Sequence, residues 1–170
     1  MVRFTLLAVF ASALLGAVSA APIRRAAFEL LDYSQFQISD GTTGGAAAEA
    51  NAVFVDPFNG VDLATVDTTT LDNMNTMREA AESAETDLFN PQIAAASGAQ
   101  ATALQNGKIK NKVLKLTGEV QVLNIKIAQA QASGGDTSAL ESSLSDETKK
   151  LNTNIATDQK NAGQDSTGVA

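Results

Sequence analysis

Two clusters of charged side chains are the parts of this sequence whose residue types and spacing could support chemistry. One is acidic, and the other places four lysines within eight residues. Carboxylates three residues apart share one face of a helix, where they could form an acid–base pair or serve only solubility. Closely spaced lysines could bind an anionic partner or pair with acids of the same chain. The acidic residues are Glu79, Glu82, Glu85 and Asp87, and the lysines are Lys108, Lys110, Lys112 and Lys115.

Composition excludes several kinds of catalytic site. The sequence contains no histidine and no cysteine, so it lacks the usual general base, the thiol nucleophile and the preferred zinc ligands. Residues 56–62 (DPFNGVD) have acids spaced as in a calcium loop, but Phe58 stands where a ligand is needed and the downstream glutamate is missing. We therefore expect no catalytic residue, no metal and no cofactor, and predict that the protein is not an enzyme.

Residues 1–20 have the pattern of a secretory signal peptide. A positive residue precedes an apolar run, and the segment ends in VSA, which places small residues at the two positions that signal peptidase reads before it cleaves after Ala20. Arg24 and Arg25 form a dibasic pair. Residues 21–25 would be a propeptide if a processing protease cuts there, although the pair could also be ordinary surface arginines. We expect a secreted, extracellular protein whose processing residues are Ala20, Arg24 and Arg25.

The charge balance limits the partners. Without the three arginines of the first 25 residues, nine basic side chains face 19 acidic ones, a net charge of about −10. A chain this acidic is a poor ligand for nucleic acid or anionic lipid. No later apolar run has the length of a membrane span. The expected partner is therefore an unidentified protein or a cell-wall component.

The apolar pattern predicts an all-α domain over 26–160. An irregular arm at 26–40 precedes a short helix at 44–54 and a helix at 71–88 whose apolar residues recur every three or four positions. Thr69 with Asp72 suggests the start of that second helix. The polar residues 161–170 predict a disordered tail.

A heptad seam predicts the central part of the fold. Its residues alternate four and three positions apart: Ile109, Val113, Leu116, Val120, Leu123, Ile127 and Ala130. Such a seam could form a parallel homodimer or fold back on the next helix. The turn sequence at 133–135 (SGG) favours folding back, because Leu140, Leu144, Leu151 and Ile155 then face the seam. We therefore predict an antiparallel helical bundle around a long helical hairpin, about 101–132 and 136–160, and expect a monomer with a homodimer as the alternative.

The hairpin prediction also assigns the charges. Lys126 would face Glu141, and Glu119 would face Lys149. A second apolar stripe on the first hairpin helix would contact the acidic helix, which could neutralise the four lysines. The alternative is a partner-binding patch formed by the lysines and the arm: Tyr33, Phe36, Lys108, Lys110, Lys112 and Lys115.

Three stretches, YSQFQISDG (33–41), LFNPQI (88–93) and ALQNGKIKNKVLKL (103–116), resemble a family of small secreted proteins of filamentous ascomycete fungi. The resemblance extends over most of the chain after the signal peptide. It implies a fungal, extracellular origin and no particular activity, since such proteins are discussed as candidate effectors or cell-surface components. Family likeness alone does not give a mechanism.

Two functions remain open from the sequence. The first is a non-enzymatic secreted protein that acts by binding, either as a candidate effector or as a cell-surface interaction protein. The second is an extracellular carrier of an apolar small molecule or lipid in the bundle core, with room left by the alanine-rich segments 46–52 and 94–103.

Overall fold

The computed structural model describes residues 28–169 and is organised around one long helix, α5. The predicted signal peptide, propeptide and processing residues Ala20, Arg24 and Arg25 lie outside the described residues. In chain order the elements are α1 (Tyr33–Phe36), β1 (Gly41–Thr42), α2 (Ala46–Phe54), α3 (Thr68–Ser83), α4 (Asn90–Ala95), α5 (Gly98–Ala132), α6 (Ser138–Lys160) and β2 (Asp165–Ser166). Two 3₁₀ turns, Asp56–Phe58 and Leu63–Thr65, and a π-helical segment, Ala84–Phe89, complete the secondary structure.

The predicted helical hairpin is confirmed, and α5 and α6 pack against each other along their length. Gly134 turns the chain with φ +71°, which a residue without a Cβ adopts readily. Asp136 accepts the Ser138 N–H at 2.9 Å and so satisfies one free donor at the start of α6. The predicted pair of Glu119 with Lys149 is wrong. Glu119 contacts Arg78 of α3 at 2.8 Å, and Lys149 contacts Asp146 within its own helix at 3.2 Å.

The second apolar stripe of α5 contacts α2 and α3. Leu114 and Ile125 are fully buried there, with Met74 of α3. Gly118 lets α2 approach closely, because a Cβ at this position would lie 3.2 Å from the ring of Phe54. As predicted for a helix with two apolar sides, α5 lies between partners. Helix α6 is at the edge, with its leucines only half-buried.

The acidic helix starts and ends differently from the prediction. Asp67, not Thr69, caps α3, since its carboxylate accepts the Thr70 N–H at 2.8 Å. The helical path then continues through the π-helical segment into α4, and Pro91 lies in the first turn of α4 without ending the helix. The chain leaves the helix only at Ala96.

The arm is part of the core. Phe36 is 4% exposed and packs edge-on against Phe54, with ring centroids 6.2 Å apart. Phe28 stacks on Phe54 from another side, at 6.1 Å. Phe36 was predicted as a candidate partner contact, and the prediction is wrong because its ring is covered by the protein's own aromatic residues.

Residues 161–169 form an ordered C-terminal strap, where the sequence predicts a disordered tail. Strand β2 pairs antiparallel with β1. The Thr167 N–H donates to the carbonyl of Ala103 at 3.0 Å, and the Gly168 N–H donates to the carboxylate of Asp40 at 2.8 Å. Backbone groups supply these contacts, so the polar side chains of the strap give no sign of them. The strap fastens the arm to the first turns of α5.

The Asp40 contact predicts a weakening of the strap in acid. Hydrogen bonds from the Gly168 N–H and the Gln37 side chain lower the pKa of Asp40. A lowered folded-state pKa gives stability that is present above the unfolded-state value near 3.8 and is lost as the pH falls through the folded-state pKa. We expect this contribution to be below about 1 kcal/mol, because the carboxylate is largely exposed.

Urea unfolding of wild type and Asp40→Asn, from neutral pH to below pH 3, measures the contribution of the Asp40 carboxylate to the free energy of unfolding. The two free energies of unfolding should differ at neutral pH and converge in acid. Exposed Glu29 provides the matched control as Glu29→Gln, which should show no such convergence. A constant difference at every pH would contradict the assignment.

Candidate functional site: a charged groove along the central helix

The four lysines of the sequence cluster do not form one patch. Lys110 is 1% exposed, and its ammonium donates to the carbonyls of Asp40 at 2.9 Å and Thr42 at 3.2 Å. It also contacts the Glu49 carboxylate of α2 at 2.9 Å. The prediction of Lys110 as a partner-binding residue is therefore wrong, because its charge is used inside the protein to hold the arm and α2 to α5.

The other three lysines surround one carboxylate, Glu85. Their Nζ atoms lie 2.6 Å (Lys115), 3.8 Å (Lys112) and 3.9 Å (Lys108) from Glu85 oxygens. Lys108 also donates to the Asn90 side chain at 2.6 Å. We call Glu85 with these three lysines the basic cluster. The π-helical segment carries Glu85, and such segments are frequent at functional sites.

A second cluster, in which carboxylates outnumber cations, surrounds Arg78 of α3. Its guanidinium contacts Glu119 of α5 at 2.8 Å, Glu79 at 3.1 Å and Glu82 at 3.4 Å. We call these four residues the acidic cluster. Nε of Arg78 is closed to solvent, and it meets Glu119 as an ion pair without a well-directed hydrogen bond.

Most residues of both clusters line one groove between α3 with its π-helical extension, α5 and α6, whereas Lys108 and Glu79 lie outside its lining. The groove encloses about 620 Å³. On the α6 side, Lys150 contacts Glu147 at 2.8 Å, and that hydrogen bond with the carboxylate charge raises the pKa of Lys150. The lining residues are Arg78, Glu82, Glu85, Lys112, Lys115, Leu116, Glu119, Glu147, Lys150, Thr153 and Asn154.

Tyr33, the remaining predicted contact, lies away from the groove. Its hydroxyl donates to the Asn111 side chain at 2.8 Å, and Asn111 in turn donates to the Ala81 carbonyl at 2.7 Å. Burial raises the pKa of Tyr33. The structure therefore separates the arm aromatics from Lys112 and Lys115, which the sequence interpretation had joined in one patch.

Sequence reasoning identified one wall of this groove and missed the rest. Glu85 facing the lysines follows from the predicted contact between the acidic helix and α5. Arg78 and the α6 residues of the groove were not singled out, and Glu119 was assigned to Lys149 instead of Arg78. The sequence does contain a signal for the groove. Charged residues repeat at helical spacing on α3, α5 and α6, and the predicted packing brings those sides of the three helices together.

The groove can bind charge, and the described residues also bear on two other kinds of site, a metal centre and a membrane span. Over residues 28–169, no group of three or more potential metal ligands comes together. In the same range, none of the helices combines the length and the apolar character needed to cross a bilayer. Cationic and carboxylate side chains on all three walls favour a polar, charged ligand.

The comparisons with known proteins identify a family and no activity. The family described as Domain of unknown function (DUF8454) matches residues 28–170. No curated protein and no solved structure matches the chain.

Proposed function

We propose that this chain, which belongs to the DUF8454 family, is a secreted, non-enzymatic fungal protein that acts by binding. Its place of action is the fungal cell surface, or a host target that it reaches as an effector. The signal-peptide pattern and the resemblance to fungal secreted proteins support the location. The charged groove supports the mode of action.

The observation that carries the proposal is the groove itself. Three helices create a concave site of about 620 Å³, and charged side chains occupy every wall. Concave sites with convergent polar groups are the usual place for ligands. With no histidine or cysteine in the sequence, binding is favoured over catalysis. The proposed partner is a charged protein segment or cell-wall component.

No observation favours the alternative, a carrier of a lipid or other apolar molecule. The alanine-rich helix α2 packs tightly, since Ala46 and Ala50 are both fully buried against their neighbours. The groove is lined by charge, whereas a lipid site needs apolar walls. We also propose that the protein is a monomer, because the α5 seam that could support a homodimer packs on α6.

Expression of the full chain in a filamentous ascomycete tests the location and the mode of action together. We expect the protein in the culture fluid, with a new N-terminus at residue 21 or 26. The purified protein should be retained on isolated fungal cell walls or on a host surface extract, and added salt should weaken retention because the groove acts through charge.

Variants of exposed residues at the rim of the groove test whether the groove causes this retention. Lys112 and Glu82 have side chains 35% and 56% exposed, so Lys112→Gln with Glu82→Gln removes two groove charges with little effect on the fold. Retention should fall at least about fivefold. Exposed Lys126, on the same helix but outside the groove, gives the control Lys126→Gln. An intracellular protein, or equal retention of rim and control variants, contradicts the proposal.

A further inference from the structure

The two clusters give the groove a charge at each end. At the basic cluster, the groove is lined by two ammonium groups, Lys112 and Lys115, and one carboxylate, Glu85, which leaves an excess of positive charge. At the acidic cluster, it is lined by two carboxylates, Glu82 and Glu119, and one guanidinium, Arg78, which leaves an excess of negative charge. Glu147 and Lys150, on the α6 wall, neutralise each other at 2.8 Å. A matching ligand therefore carries both signs, with its positive and negative groups separated.

The helix geometry sets the separation. Glu119 and Lys112 are seven residues apart on α5, and so are Arg78 and Glu85 on α3 and its extension. At about 1.5 Å of rise per residue, the backbone positions in each of these pairs lie about 10 Å apart along the helix axis, and we take this as the spacing of the two charge centres. An extended peptide advances about 3.3–3.6 Å per residue, so the terminal charges of a chain of about three residues have this spacing. A free amino acid is too short.

We propose that the groove binds short peptides of about three residues whose amino and carboxyl termini are both free. This inference rests on the proposed function as a binding protein and names its ligand class. The peptide carboxylate lies at the basic cluster, and the peptide ammonium lies between the carboxylates of the acidic cluster.

Particular atoms are available for each terminus. The Lys112 Nζ lies 3.8 Å from Glu85, beyond hydrogen-bond distance, and its side chain is 35% exposed. It can therefore donate to a peptide carboxylate without losing a hydrogen bond to Glu85. At the other end, Glu82 reaches Arg78 only at 3.4 Å and is 56% exposed, so it can turn toward a peptide ammonium. Charge-assisted hydrogen bonds of this kind are among the strongest a surface groove makes.

The rest of the groove suits a peptide backbone. Thr153 and Asn154 of α6 and Leu116 of α5 lie along it. A hydroxyl and an amide can exchange hydrogen bonds with peptide groups, and Leu116, 7% exposed, gives a short apolar floor. Because these residues read the backbone and the ends, the site is expected to accept many side-chain sequences.

Titration of the secreted full-chain product with trialanine, at low ionic strength, tests the inference by calorimetry and by amide chemical shifts. Trialanine should give saturable binding, with shifts at groove residues. Acetylating the amino terminus or amidating the carboxyl terminus should each weaken binding at least about fivefold, and blocking both should abolish it. Free alanine should not bind.

Protein variants provide the matched test. Lys112→Gln should lower the affinity for trialanine and leave the weak binding of the carboxyl-amidated peptide unchanged. Glu82→Gln should also lower the affinity for trialanine, but should leave the weak binding of the amino-acetylated peptide unchanged. Lys126→Gln should behave as wild type. Absence of saturable trialanine binding, or equal binding of the doubly blocked peptide, overturns the peptide assignment. If groove-dependent retention on walls or host extract persists in that case, the proposed function stands; if retention is also absent, both fail.

Discussion

Replacing Lys110 with methionine is expected to lower the free energy of unfolding by about 2–3 kcal/mol. The side chain is 1% exposed, and its ammonium satisfies the carbonyls of Asp40 and Thr42 together with the Glu49 carboxylate. Methionine fills most of the volume and donates no hydrogen bond. The two carbonyls would lose a donor in a site that water reaches poorly. Glu49, 41% exposed, can regain water, which keeps the loss below that of a fully buried pair.

Urea unfolding at neutral pH measures this difference. Lys126→Met on the same helix is the matched control, since Lys126 is exposed and should change stability by no more than about 0.5 kcal/mol. Buried ion pairs can be replaced by apolar residues without loss when both partners are replaced. Here two acceptors are backbone groups that no substitution removes. Equal stability of the two variants would show that the buried ammonium contributes nothing.

Replacing Gly107 with alanine is expected to displace the C-terminal strap. A Cβ at this position would lie 2.0 Å from the Thr167 carbonyl oxygen, and no side-chain rotation relieves contact with a backbone atom. The strap must move, and with it the Thr167 hydrogen bond to Ala103. The cost of such overpacking is about 1–3 kcal/mol. Alanine regains up to about 1 kcal/mol through its better helix propensity, which reduces the net loss.

Amide hydrogen exchange separates strap displacement from a general loss of stability. The Thr43, Thr167 and Gly168 amides should lose at least about tenfold in protection, while amides in the middle of α5 keep theirs. Gln105→Ala, an exposed substitution two residues away on the same helix, should leave the strap amides unchanged. A more stable variant with an unchanged exchange pattern would contradict the predicted clash.

The hairpin could be predicted because its signal is carried by side chains close in sequence. The apolar residues of the α5 seam face the apolar residues of α6 across a short turn, so their pairing follows from counting residues on either side of the turn. Apolar burial then dominates helix packing. The position of Glu85 near the lysines could be inferred in the same way. Details that depend on competition among several charges could not, and Glu119 pairs with Arg78 instead of Lys149 for that reason.

The strap and the buried lysine escaped prediction because most of their partners are backbone groups distant in sequence. Lys110 binds carbonyls 68 and 70 residues away. Ser166 donates to the Ser39 carbonyl, 127 residues away. A polar sequence gives no sign of such contacts, and a lysine is usually at the surface. Gly107, inside a helix where alanine would be preferred, was the available hint of a close approach.

The strap also bears on the order in which the molecule is assembled. Residues 161–169 are synthesised after every other described element, yet β1 has its strand partner only there. Local contacts of the α5–α6 hairpin close a short turn and form fast, whereas pairing β1 with β2 closes a loop of more than a hundred residues and is slow. We therefore expect the hairpin to form first and the arm to be fixed only when the strap pairs with it. Until then, the backbone groups of β1 that pair with β2 remain unpaired and can bind a chaperone or another chain.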